Sequence, residues 1–188
     1  NLSGSKVYDG TNAVLAAELT THTGLIGSET VTLSGATTTT GSGGANKNVA
    51  NDVGITANAS GITVANGSNG GLATNYTLTG GTHETDITKQ DFSIALSRQY
   101  DATNQAKPNS ADSAITETFS GLVGTETLTH GGTNGTVSNA NATGSAQAVT
   151  IGGLTVGNGS GASASSGGLI ANYNLTGTTL TISPRVLT

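Results

Sequence analysis

No cysteine, methionine or tryptophan occurs in this 188-residue chain, and it holds only two phenylalanines and two prolines. Without cysteine there is no disulfide framework, no thiolate metal site and no thiol nucleophile. Charge is scarce too: 9% of residues are Asp, Glu, Lys or Arg, for a net charge of −5. Residues 1–90 carry three lysines against six acidic residues, and 91–188 three basic against five acidic. No basic patch is on offer to phosphates or anionic lipid, so no nucleic-acid partner is expected. No apolar run approaches the roughly 20 residues of a membrane-spanning helix, so no membrane insertion is expected either. A signal-peptide pattern is absent.

The chemistry of sites is equally thin. No Gly-x-Ser-x-Gly elbow and no phosphate-cradling glycine motif between strand and helix is found. The chain is expected not to be an enzyme and to need no cofactor. The acidic residues stand mostly singly and form no calcium-loop pattern. Glu84, Asp86 and Asp91 flank the middle of the chain and are expected to be solvated carboxylates rather than cation ligands. His22, His83 and His130 fall at places that do not correspond between the two halves, so no shared metal site is expected from them.

What is present is repetition. The four tyrosines occupy two equivalent pairs of positions. Tyr8, Asp9 and Gly10 in Lys6-Val7-Tyr8-Asp9-Gly10-Thr11-Asn12 match Tyr100, Asp101 and Ala102 in Arg98-Gln99-Tyr100-Asp101-Ala102-Thr103-Asn104. Asn75-Tyr76-Thr77-Leu78-Thr79-Gly80 matches Asn172-Tyr173-Asn174-Leu175-Thr176-Gly177. Between them, Gly24-Leu25-Ile26-Gly27-Ser28-Glu29-Thr30 matches Gly121-Leu122-Val123-Gly124-Thr125-Glu126-Thr127. Self-similarity on this scale sets the architecture before any single residue is considered. Two modules are expected, residues 1–90 and 91–188, meeting near Lys89–Asp91 without a flexible linker. The second should end with the start of a following repeat, since Pro184-Arg185-Val186-Leu187 puts Leu187 where Phe92 stands. Both ends therefore read as cuts within a longer array.

The 29 glycines, with many Thr, Ser and Asn, could describe a linker, but apolar residues recur with period two. Phe92–Ser97, Ile115–Phe119 and Thr179–Ser183 alternate in this way, the signature of half-buried strands. Leu72–Thr79 and Leu169–Thr176 are expected to be strands with Tyr and Leu on one face. Asn66-Gly67, Asn134-Gly135 and Asn158-Gly159 predict tight turns. Gly41–Gly44 and Ser165–Gly168 are loops by composition. Ala13–Leu19 has helix-forming composition, but equating it with Ile115–Phe119 predicts a strand. Each module is thus expected to be all-β, with about seven strands in a sandwich-like arrangement. A β-grasp-like module with a short helix at Ala13–Leu19 is the alternative.

Taken in order, these blocks and the closing Ile182-Ser183-Pro184-Arg185 resemble the YDG-type repeat, a relative of the MBG-type repeats of bacterial surface adhesins. The resemblance covers essentially the whole chain, twice. It departs at Ala102, where the motif has Gly, and at Lys89, where Pro is usual. Ala102 suggests that this position does not strictly need positive φ. The resemblance implies stalk modules of long secreted proteins of the filamentous-haemagglutinin type, exported by two-partner secretion. It places them outside the cell, on a Gram-negative surface, in adhesion, aggregation or biofilm. The partners implied are neighbouring repeats of the same chain, with a glycan or matrix ligand belonging to the parent protein; the segment alone should be a monomer. The alternative function is an adhesive module that itself recognises a glycan or a host or matrix protein.

Residue by residue, Tyr8-Asp9 and Tyr100-Asp101 invite a sugar-stacking platform. The expectation preferred here is that the rings pack on the core and each Asp caps a turn. Tyr76 and Tyr173 are expected in the core with their hydroxyls at its rim. Lys6 has Arg98 as its counterpart, so an amine for an isopeptide cross-link is not repeated. Asn58, Asn75, Asn141 and Asn174 stand in Asn-x-Ser/Thr triplets and are glycan acceptors at most.

Overall fold

The computed structural model describes residues 1–40, 47–106, 115–132, 135–163 and 165–187. The Gly41–Gly44 loop, Asn134 and Lys107 lie outside them. The fold is all-β, in several sheets with no barrel. Its contacts divide the chain into two units, one built on Asn1–Lys89 and the other on Gln90–Ser163 with Gly168–Thr188.

The first unit contains β1 (Leu2–Ser3), β2 (Ser5–Val7), β3 (Ala13–Leu15), β4 (Thr21–His22), β5 (Val31–Thr38), β6 (Ala50–Gly54), β7 (Ile62–Asn66) and β8 (Glu84–Thr88). They form the orders β4-β1, β2-β8-β6 and β3-β5-β7. β2 and β8 run parallel, while the remaining pairs are antiparallel. The core takes Leu2 from β1, Val14 from β3, and Leu19, Ile55 and Ala59 from the connections, with Leu33, Ile62 and Leu78 packed against it. Strands of different sheets thus bury their apolar faces against one another.

The second unit repeats this with a longer first and last strand: β9 (Gln90–Gln99), β10 (Gln105–Ala106), β11 (Thr116–Ser120), β12 (Leu128–Gly132), β13 (Gly135–Thr136), β14 (Ala146–Ala148), β15 (Thr150–Ile151), β16 (Leu154–Asn158) and β17 (Tyr173–Ser183). One four-stranded sheet, β11-β9-β17-β14, replaces the two partial sheets of the first unit, and β10-β13-β15 with β12-β16 complete it. β9 alternates buried Phe92, Ile94, Leu96 and Arg98 with outward residues, as its period-two pattern requires.

Several expectations are corrected by this topology. Ala13–Leu19 is neither a strand throughout nor a helix: Ala13–Leu15 is β3 and Ala16–Glu18 a single 3-10 turn. Its counterpart is not Ile115–Phe119. β3 pairs with β5 through Ala13↔Thr38 as β10 pairs with β13 through Gln105↔Thr136, so Ala13 corresponds to Gln105. β11 corresponds instead to β4. The 3-10 turn also explains why β1 and β2 are separate where β9 is continuous. A Cβ on Gly4 would fall on the Glu18 carbonyl oxygen, so only glycine fits and the strand breaks there.

Leu72–Thr79 is not a strand; it holds a 3-10 turn at Ala73–Asn75, followed by residues outside any strand. Leu169–Thr176 splits into a 3-10 turn at Ile170–Asn172 and the start of β17. Gly67 and Gly159 do not adopt positive φ. Their glycine is required because a Cβ would strike the carbonyls of Thr30 and Thr127, respectively.

Candidate functional site

The repeated motifs build two internal clamps in each unit. The first closes the corner after β2 and after β9. The chain leaves β2 through Tyr8, whose amide donates to the Thr88 carbonyl at 2.8 Å; Tyr100 donates to Ser183 at 2.9 Å. Asp9 Oδ1 then accepts the Thr11 amide at 2.9 Å and the Thr11 hydroxyl at 3.0 Å. Asp101 accepts from Thr103 in the same way, at 2.9 and 2.8 Å. This is the turn-capping arrangement that a short acidic side chain makes with the backbone two residues on.

Beneath each corner lies a buried cation. Lys6, 3% exposed, donates from Nζ to Asp9 Oδ1 at 2.9 Å and to the carbonyls of Thr11 and Ala13 at 3.3 and 2.5 Å. Arg98, also 3% exposed, donates to Asp101 Oδ1 at 2.6 Å and to the carbonyls of Gln99 and Thr103 at 3.0 and 2.7 Å. A buried charge persists only when paired and hydrogen-bonded. Here it satisfies carbonyls of the turn and of the strand ends beside it, Thr11 and Ala13 in one unit and Gln99 and Thr103 in the other. Burial pulls the Asp9 pKa up, but the bonds from Lys6 and Thr11 and the ammonium charge outweigh it, leaving the carboxyl below its ordinary 3.8.

Gly10 has φ +76° and Ala102 φ +64°. The position therefore does take the left-handed conformation in both copies, against the expectation drawn from Ala102. The alanine is held there at a cost of about 1 kcal/mol.

The second clamp joins the Asn-Tyr-x-Leu block to the Gly-Leu-x-Gly-x-Glu block. The Tyr173 hydroxyl donates to Glu126 Oε2 at 2.6 Å and accepts the Val123 amide at 3.0 Å. Glu126 Oε2 also accepts the Gly168 amide at 2.7 Å. In the first unit the Tyr76 hydroxyl donates to Glu29 Oε2 and accepts the Ile26 amide at 3.1 Å. Burial, with the bond to Glu126, pushes the Tyr173 phenol up to about 12. The bond to Glu29 raises that of Tyr76 as well. A side-chain amide adds a third repeated bond: Asn66 Oδ1 accepts the Ala73 amide at 2.8 Å and Asn158 Oδ1 the Ile170 amide at 2.9 Å.

The tyrosine pairs share hydrogen bonds but not burial. Tyr8 is buried and Tyr100 half-buried, while Tyr76 is half-buried and Tyr173 buried. Tyr76 lies outside any strand, and Tyr173 begins β17. Asn75 is exposed and Asn172 buried; Leu78 and Leu175 are both half-buried. The partners Lys6, Arg98, Glu29 and Glu126 were not among the expected motif residues. They were visible as charged residues recurring at equivalent places of the repeated blocks, but their bonding was not.

Other acidic and histidine side chains also have partners within the chain. Asp86 accepts the Asp52 amide at 2.9 Å, and Asp91 the Asn174 side-chain amide at 2.8 Å. His83 Nδ1 accepts the Leu2 amide at 2.9 Å, His22 Nε2 donates to the Leu19 carbonyl at 2.8 Å, and His130 Nε2 lies 2.7 Å from Glu117. Among the described residues no group of three or more His, Asp or Glu could hold a metal ion, and no helix is long and apolar enough to cross a membrane.

Two units that reuse one strand order and one pair of clamps make this an all-β tandem-repeat protein. The YDG domain family model matches residues 2–85 and again 87–181. The chain therefore belongs to the YDG domain family, as two consecutive copies. No curated protein and no solved structure matches it.

Proposed function

We propose that these modules are structural spacer repeats of a large secreted bacterial adhesin, serving adhesion, aggregation or biofilm on a Gram-negative surface. In this reading they carry no catalysis. Their partners are neighbouring repeats of the same polypeptide, and the ligand belongs to another part of it. One observation carries the reading: the polar side chains that define the repeat are spent on one another and on nearby backbone, Lys6–Asp9 and Arg98–Asp101 at one corner, Glu29–Tyr76 and Glu126–Tyr173 at the other. A motif preserved to recognise a ligand would leave donors and acceptors turned outward. The low charge also suits a segment that should not attract partners. A glycan array probed with this segment tests the proposal. The expected result is no saturable binding; reproducible saturable binding of any glycan class would replace the spacer with an adhesive module.

A further inference from the structure

The first unit holds an open cleft lined by Leu2, His22, Leu25, Leu33, Tyr76 and Leu78, among others. Its counterpart in the second unit is filled. Leu2 pairs with His22 as Ile94 pairs with Phe119, which equates Leu2 with Ile94 and His22 with Phe119. Two residues ahead of Ile94 stands Phe92, 2% exposed. Its ring lies 5.9 Å from that of Tyr173, edge-on, and 6.4 Å from that of Phe119, and its strand partner is Leu175. Those three neighbours correspond to Tyr76, His22 and Leu78, all of which line the open cleft.

The backbone tells the same story independently. Tyr173, Asn174 and Leu175 pair in parallel with Gln90, Asp91 and Phe92, whereas Tyr76–Leu78 belong to no strand. A Cβ on Gly121 would lie 2.6 Å from the Asp91 carbonyl oxygen, but one on the equivalent Gly24 would meet nothing within 4 Å. The Thr176 hydroxyl donates to the Phe92 carbonyl at 2.9 Å, while the equivalent Thr79 hydroxyl bonds that of Thr77 at 2.5 Å.

We propose that the cleft beside Leu2 is the seat of three residues of the same polypeptide directly ahead of Asn1. They pair in parallel with Tyr76–Leu78, and the third, in the register of Phe92, fills the cleft with a bulky apolar side chain. That register is apolar both times the sequence reaches it, at Phe92 five residues after Ile87 and at Leu187 five after Ile182. Each module would thereby have its core completed by the residues just ahead of the Leu2/Ile94 register, as Phe92 completes that of the second unit. The inference does not rest on the adhesin reading, because the cleft needs its plug whatever the parent protein does.

The test adds Gln-Asp-Phe ahead of Asn1 in the whole chain and compares it with the unextended chain and with a Gln-Asp-Ser addition. Hydrogen exchange at the amides of residues 77–79 should slow by about ten-fold with the Phe version only. The unfolding midpoint of the first unit should rise by about 5 °C. Nuclear Overhauser contacts should join the added ring to Tyr76 and Leu78. Equal exchange in the Phe and Ser versions would overturn the proposal. So would a monosaccharide or small aromatic probe that occupies the cleft equally well in the Phe-extended and unextended chains.

Discussion

Asn75–Gly80 and Asn172–Gly177 differ at one position, Thr77 against Asn174, yet only the second enters a strand. The tyrosine in each reaches its glutamate through the same bond, so local chemistry is not what separates them. The difference is a partner: Gln90–Phe92 lies alongside Tyr173–Leu175. A downstream loop contributes as well. Eleven residues lead from Tyr76 to Ile87 and nine from Tyr173 to Ile182, and the extra length passes through Gly80 and Gly81, both at positive φ. β-structure is a property of pairs, so the same block can hold or lose it with its neighbour.

The most direct way to break the contrast is Phe92→Ala. Removing the buried ring should cost the second unit about 3–5 kcal/mol and leave the first unit's stability unchanged. Site-resolved hydrogen exchange should then show Tyr173–Thr176 exchanging as fast as Tyr76–Thr79. Next in size is the buried corner. Asp101→Ala strands the Arg98 guanidinium without its carboxylate and should cost about 2 kcal/mol in chemical unfolding. Asp9→Ala should cost less, because the Asp9 side chain is 50% exposed against 24% for Asp101 and water already screens it.

Tyr173→Phe removes the hydroxyl shared by Glu126 and Val123 and should cost about 1–2 kcal/mol, with Tyr76→Phe costing less. The phenol carries a pH signature. Its folded pKa of about 12 lies above the ordinary 10.0, so its contribution is complete below pH 10 and disappears as pH rises toward 12. A stability–pH profile should fall over that window in the parent and flatten there in Tyr173→Phe. Asp9 has the opposite sign: its contribution is present above pH 3.8 and is lost as pH falls through its lowered folded pKa. The smallest effect sharpens the likeness between the units. Ala102→Gly should stabilise the second unit by about 1 kcal/mol, and Gly10→Ala should destabilise the first by a similar amount.

Much of this was legible from residues alone. The alternation in Phe92–Ser97 gave β9 its faces, and the paired tyrosines, with the Gly-Leu-x-Gly-x-Glu blocks, gave the repeat and its family. The state of Leu72–Thr79 was not legible, because it depends on a strand partner rather than on its own pattern. Ala13–Leu19 was misread by equating it with the wrong stretch, an error that the pairing Ala13↔Thr38 beside Gln105↔Thr136 exposes. Ala102 misled because a tolerated substitution was taken for a relaxed backbone; the φ angle persists and the alanine bears the strain. The Lys6 and Arg98 corners stayed hidden since a single cation beside a polar turn looks like a solvated side chain until its carbonyl partners are known.

Those corners bear on digestion. The chain has six basic residues, the only points at which a trypsin-like protease cuts. The side chains of Lys6 and Arg98 are each 1% exposed, and Lys107 precedes a proline, a bond such enzymes pass over. The folded chain thus offers them Lys47, Lys89 and Arg185 alone, having buried two of its scissile points by making them the pins of its turns.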